Sequence, residues 1–281
     1  MTPELHNTIS RSASRTMYLL CIILTATIVS ILILVTAYLV YSGVGQLGIH
    51  LFTHLPGDNP PGMKNSIVGT VILIAMASAL GIPIGLLSGV YLAEYDRGSR
   101  LVAPLRFVCD VLAGVPSVVV GVLGYVLLVK PIGHNNGWAG AMALAFIMIP
   151  IVARTTEEML RLVPYSYREA SIALGATKAI TILTVVLPSA TGSVATGIML
   201  AVARVAGETA PLIFTAGLSS YMQFNPSQPF PSMTAQIYDF RTDPSPDIRS
   251  LAFTGMMVLV FLIFALNLAI RFVTRKHRAM G

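Results

Sequence analysis

From Met17 to Tyr41 the chain runs for 25 residues without a charged side chain. The hydrocarbon core of a bilayer calls for about 20 apolar residues in a helix, because backbone polar groups there must be satisfied within the segment. The stretch therefore predicts a membrane-crossing helix. It is longer than the apolar centre of a cleavable leader and no convincing small-residue cleavage site follows it, so it is expected to remain as a first span. Five further runs follow near Ser66–Ala93, Arg106–Val129, Trp138–Ala153, Ser189–Ala216 and Leu251–Phe272. Only 11% of the residues are charged and the mean hydropathy is +0.77, whereas a water-covered domain carries about 25% charge. The expected fold class is an all-α integral membrane protein with six transmembrane helices.

Prolines fall inside three of the runs, at Pro83, Pro116 and Pro150; neighbouring groups in a bundle can satisfy the carbonyls they free. The fourth run is short and is expected to continue as helix through "RTTEEML" into water. Basic residues set the orientation. With the N-terminus inside, thirteen of the 18 Lys and Arg lie inside: Arg11 and Arg15; Arg97, Arg100 and Arg106; Arg154, Arg161, Arg168 and Lys178; Arg271, Arg275, Lys276 and Arg278. Only Lys64, Lys130, Arg241 and Arg249 fall outside. Both termini are expected in the cytoplasm, with residues 1–16 and 273–281 as tails, and the net charge of +6 needs no nucleic acid.

Several chemistries lack their residues. Cys21 and Cys109 are far apart and give neither a disulfide framework nor a metal spacing. His50 and His54 could share a helix face, but no third ligand is near. The nearest approach to a nucleotide loop, "GDNPPGMK" from Gly57, has Met63 where the lysine belongs, and no HExxH or nucleophile elbow occurs. The chain is not expected to be an enzyme alone, nor to bind a cofactor.

Two connections are long. The outer one, Gly217–Ser250, has five prolines from Pro226 onward and is expected to be an ordered loop or partner surface. The inner one, residues 154–187, predicts a short helix from Pro164, a turn at Gly175 and a second helix from Thr177 to Leu187 at the membrane surface. Such a segment could lie on lipid or dock on a partner.

Within it, "EASIALGATKAITILTVVLP" resembles the EAA signature of ABC importer permeases. Glu169, Ala170, Gly175, Leu187 and Pro188 stand at the signature positions, while Ser171 and Val185 replace an Ala and an Ile at similar size. The likeness extends over roughly Ser66 to Arg271. "GVPSVVVG", "ARVAGETAPL" and "QIY" are similar to the phosphate-importer permeases of the PstA type. The resemblance implies a type I (MetI-like) permease fold over residues 66–272 in a bacterial cytoplasmic (inner) membrane. It implies that Glu169, Ala170, Leu174 and Gly175 belong to a coupling helix seated on a separate ATPase dimer, PstB-like, which would use ATP and magnesium. A PstC-like second permease, a PstS-like extracytoplasmic phosphate-binding protein and inorganic phosphate are the other implied partners.

Two charges, Arg204 and Glu208, interrupt the fifth run. Read as one straight helix at 100° per residue, Gly197, Ala201, Arg204, Glu208, Pro211 and Thr215 fall within about 80° of one another. An arginine at the bilayer centre costs about 2.5–3.5 kcal/mol, so it should face protein or water. The two could be a structural i,i+4 pair. Alternatively Arg204, with Glu208 and Thr209, lines an anion pathway: the guanidinium offers donors to an oxyanion and Glu208 keeps it from being trapped. Asp110 is expected at the inner boundary and Pro116 at a kink beside Ser117, with a pathway role as the alternative for all three. A rival reading, an ion-gradient-driven transporter, would call for an inverted repeat that the six runs do not display. A permease for sulfate or molybdate is the closer rival.

Overall fold

The structure is a computed structural model that describes residues 3–95 and 99–278, with side chains from 14 to 268 apart from the same gap. Arg97 and the side chains of Arg11, Arg271, Arg275, Lys276 and Arg278 lie outside the described residues. In chain order the helices are α1 Pro3–Gly43, α2 His50–Thr53, α3 Lys64–Glu94, α4 Val102–Gly114, α5 Ser117–Gly124, α6 Gly137–Arg161, α7 Tyr165–Ala173, α8 Lys178–Thr181, α9 Leu187–Ala206, α10 Ala210–Thr215, α11 Met233–Thr242 and α12 Pro246–Arg278. Among the described residues no strand occurs.

Among the described residues five helical segments are long and apolar enough to cross a membrane: residues 14–46, 64–94, 137–161, 178–206 and 246–268. The sixth expected span is not one helix. α4 and α5 meet at 100°, with Val115 and Pro116 extended between them. Proline forces this: it biases the residue before it away from helical geometry and has no N–H to continue the ladder.

The bundle is organised by the parallel pair α3 and α6, in which Gly81, Gly85 and Gly89 meet Met148, Val152 and Ala153 in the same order. Along α3, Gly85 and Gly89 face α6 so closely that a Cβ on Gly89 would stand 2.5 Å from both the Ala153 carbonyl oxygen and the Thr156 Cβ. Absent side chains let the two backbones approach, which in an apolar medium is the main source of helix–helix attraction. Leu73, Ala77, Leu144, Met148, Val152, Ala201, Val205 and Leu212 form the central core where α9 and α10 pack onto this pair. A second cluster at the Lys64 end joins Leu51, Met63, Met233, Ile237 and Leu251, and a third at the opposite, basic end joins Leu160, Val163, Val186, Ala190 and Val194. The α1 span has no buried residue in its most apolar window; it touches α12 near Gly43, where Thr254 donates to the Gly43 carbonyl at 2.7 Å.

The extension of the fourth run is present, since α6 continues to Arg161. The separate surface helix expected over 177–187 is not. α8 runs through a π turn, Ile182–Val186, straight into α9, so Lys178–Ala206 is one continuous span. Pro188 supplies the reason: it would clash with the carbonyl four residues back, and widening one turn removes the clash without ending the helix. The outer connection is ordered, and its "QIY" lies in α11 with Gln236 and Ile237 buried.

Candidate functional site

Span five does break, beside the two residues that carry its charges. α9 ends at Ala206, Gly207 closes the last turn, and α10 resumes at Ala210 with Pro211 as its second residue. Pro211 has no N–H for the Gly207 carbonyl and its ring would collide with that group, which disfavours regular helix through Gly207–Thr209. The Glu208 carbonyl freed by the break accepts from Thr234 Oγ1 of α11 at 2.8 Å. The single face expected from Gly197 to Thr215 is therefore corrected. Gly197 packs against Thr155, and Ala201, Pro211 and Thr215 are buried. The Arg204 side chain instead is 52% exposed, with Nε 4.0 Å from Glu208 Oε1, while Glu208 is 14% exposed. At that separation and exposure the pair is loosely held, and the guanidinium is not consumed by it.

The break in span three lies beside this one. α5 and α10 pack together so closely that a Cβ on Gly121 would be 2.9 Å from Pro211 Cα and one on Gly124 would be 2.8 Å from Thr215 Cγ2. Val115 packs on the core that holds Val205 and Ala206. Pro116 is the residue before α5 and Ser117 its first. Both chain breaks, the start of α5 and the Arg204–Glu208–Thr209 segment thus fall in one region of the bundle.

Asp110 belongs elsewhere. Its Oδ1 lies 3.4 Å from Arg154 Nε, at the edge of a charge cluster centred on Glu157. Glu157 is 1% exposed and receives Arg106 Nη2 at 2.7 Å, Arg154 Nη1 at 3.0 Å and Arg161 Nη2 at 3.1 Å. One buried carboxylate so ties α4 to the end of α6.

The helix–turn–helix of the inner connection is built as its residues dictate. α7 ends in a Schellman turn: Gly175 has φ +88°, its N–H donates to the Ile172 carbonyl at 2.9 Å, and the Ala176 N–H donates to the Ser171 carbonyl at 3.2 Å. Ser171, the departure from the signature's second Ala, is buried with its hydroxyl 2.9 Å from that of Thr181, and so fastens the two arms. Glu169 and Ala170 are exposed, and Leu174 is 90% exposed.

This helix–turn–helix beneath a bundle of five spans and one bent pair has counterparts among known proteins. The family model described as "Binding-protein-dependent transport system inner membrane component" matches residues 81–278. The chain belongs to that family. Proteins named "Phosphate transport system permease protein PstA" are similar to it: the one from Haemophilus influenzae is 40% identical over 83% of this chain and 83% of its own length. Another, from Yersinia pestis, is 39% identical over 85% of this chain and 82% of its own. A "Probable ABC transporter permease protein YqgI" of Bacillus subtilis is 32% identical over 88% and 90%. Among solved structures, an inward-facing MetNI methionine ABC transporter aligns with a TM-score of 0.64 and 20% identity, over 76% of this chain and 97% of that one. That likeness establishes the MetI-type permease fold.

Two carboxylates of this family member were not singled out by sequence reasoning. Glu94 closes α3 and is bound by Arg168 of α7, whose Nη2 lies 2.5 Å from Glu94 Oε1. Glu157 was absorbed into the "RTTEEML" extension. Their only sequence signal is an acid near a span end, which a solvated helix end also displays.

Proposed function

We propose that this chain is a membrane subunit of an ATP-driven importer and that inorganic phosphate passes beside Arg204. The observation that carries the reading is the break at Gly207–Thr209, which leaves Arg204 half-exposed and 4.0 Å from Glu208 instead of closed onto it. An oxyanion can then take the guanidinium's paired donors. The choice of anion rests on relatives that carry phosphate transport in their names at 37–40% identity. Thr209 adds a hydroxyl at the break, and α5, starting at Ser117, directs the positive end of its dipole toward the same region. Pro116 shapes that start, while Asp110 serves the charge cluster at the basic end. Glu208 works in the opposite direction from Arg204. An ionised Glu208 accepts the O–H of hydrogen phosphate, an interaction sulfate cannot make, and its charge lets the anion leave.

Residues 66–272 form the permease proper, and the peripheral first span, 17–41, lies in lipid. Arg204 opens to the outside of this single chain, so the path is completed by a second permease, PstC-like. The exposed Glu169, Ala170 and Leu174 seat α7 on an ATPase subunit, which binds the ATP and magnesium this chain has no loop to hold; an extracytoplasmic phosphate-binding protein delivers the anion to the other face. The basic end, with both termini, is cytoplasmic.

The test is ATP-dependent uptake of labelled phosphate by the reconstituted complex, comparing the natural chain with Arg204→Gln. An assembled variant that hydrolyses ATP and moves no phosphate supports the path; normal uptake removes Arg204 from it. Competition by sulfate or molybdate that exceeds phosphate overturns the choice of anion, and Glu208→Gln should weaken discrimination against sulfate.

A further inference from the structure

Arg168 does more than belong to α7. Its Nε and Nη2 grip both oxygens of Glu94 at 2.5–3.2 Å, at the end of α3. The same guanidinium donates Nη1 to the Val163 carbonyl at 2.8 Å and Nη2 to the Leu160 carbonyl at 2.9 Å, at the end of α6. Its side chain is 12% exposed and that of Glu94 6%. Lys178, on the other arm past the Gly175 turn, donates to the Glu94 main-chain carbonyl at 2.5 Å and lies 4.2 Å from the centre of the Tyr95 ring. Both arms of the coupling segment are thereby fastened to one point where α3 and α6 end together.

Those two helices each run unbroken from one end of the bundle to the other. α3 spans 31 residues, about 46 Å at 1.5 Å per residue, and the close seam at Gly85 and Gly89 fixes α6 to it. At the far end the pair holds the outer loop 217–232 by main-chain groups. Asn65 Nδ2 of α3 donates to the Ser219 carbonyl at 2.7 Å, and the Gly137 N–H of α6 donates to the Gln228 carbonyl at 3.2 Å. Thr70 of α3 accepts from the Met233 N–H at 2.8 Å, where α11 begins. Spans three and five, by contrast, are both interrupted midway.

We propose that Arg168 is a positioning residue: it locks the coupling helix to the α3–α6 pair, and the pair carries that helix's displacement to the outer loop while the breaks in spans three and five give way. A guanidinium suits the joint because one planar fork meets a carboxylate and two carbonyls at once, which lysine cannot do. Rigid packed helices with discrete hinges transmit a shift over this distance without deforming.

The proposal rests on reading the chain as an ATP-coupled permease, but its test uses no phosphate, so failure of phosphate uptake and failure of the lever are separate results. In the whole complex in nanodiscs, with Cys21 and Cys109 replaced by Ser, Tyr221→Cys reports on the outer loop; Tyr221 is 78% exposed. Maleimide labelling is followed with and without ATP. ATP should change the labelling rate several-fold when Arg168 is intact. With Arg168→Gln, hydrolysis should stay within twofold while the labelling rate no longer responds to ATP, and Arg168→Lys should fall between. Should Arg168→Gln not assemble, Glu94→Gln decides by the same readout. Adding Glu94→Gln to Arg168→Gln should have no further effect. A labelling response to ATP that survives Arg168→Gln, or an intact chain whose outer loop ignores ATP, overturns the proposal.

Discussion

The chain carries two Arg–Glu pairs that look alike in composition and differ in how tightly they are held. Arg168 and Glu94, 74 residues apart in sequence, are nearly buried and joined by three guanidinium–carboxylate hydrogen bonds. Arg204 and Glu208 are four residues apart and 4.0 Å from each other, with the guanidinium half-exposed. The close pair in sequence is the loose pair in space. At the basic end buried carboxylates gather arginines from several helices and fix the geometry, whereas in mid-span the broken helix keeps its charges apart. A buried charge deprived of its partners is costly, while an exposed pair contributes little. Stability should therefore reside at the basic end and ligand chemistry at the breaks.

That contrast can be broken by measurement. The largest loss is expected at Glu157→Ala, which leaves three arginines facing one another where a carboxylate of 1% exposure held them. Breaking such a group costs about 3 kcal/mol, seen as a lower unfolding temperature of the purified complex; an unchanged midpoint would contradict the assignment of stability to this end. Gly89→Ala comes next. Its Cβ would meet the Ala153 carbonyl at 2.5 Å, and overpacking of this kind costs about 1–3 kcal/mol, measurable by denaturant unfolding in detergent. Gly175→Ala forces a side chain onto φ +88° at about 1–2 kcal/mol. Faster proteolytic cleavage between α7 and α8 is the expected result, and resistance equal to the natural chain would mean that the turn relaxes freely. The smallest effect belongs to Arg204 and Glu208. A double-mutant cycle with Arg204→Gln and Glu208→Gln should return a stability coupling below about 0.5 kcal/mol, even as phosphate uptake is lost. A coupling several times larger would make the pair structural and remove it from the path.

Much of the architecture was legible in the chain. Uncharged runs of bilayer length marked the spans, and "LGATK" marked a helix stop, because Gly175 alone there tolerates the left-handed turn that a Schellman motif requires. The candidate site was legible only in part. Arg204 stood out because a guanidinium in an apolar run is expensive, but its surroundings were misread by carrying 100° per residue through Pro211. The proline was in view; what it would do was not, since Pro83 and Pro150 lie within continuous helices. Glu94 left no mark, as its partner Arg168 comes from α7; Glu157 has Arg154 and Arg161 within a turn on its own helix, but its burial depends on Arg106 and packing from α4.

What the sequence determined by itself is local. Apolar length, the positions of proline and glycine, and the spacing of the signature from Glu169 to Pro188 act within a few turns of one helix. Only the tertiary structure decided which prolines break a span and which charges are buried. Pro83 and Pro150 are carried within continuous helices, whereas at Pro211 the helix breaks and a neighbouring helix takes up a carbonyl that the break frees, as Thr234 does for Glu208. A charge's role likewise depends on what other helices bring to it: Arg168 has a carboxylate and two carbonyls from the ends of α3 and α6, and Arg204 stays half-exposed beside Glu208 of its own span.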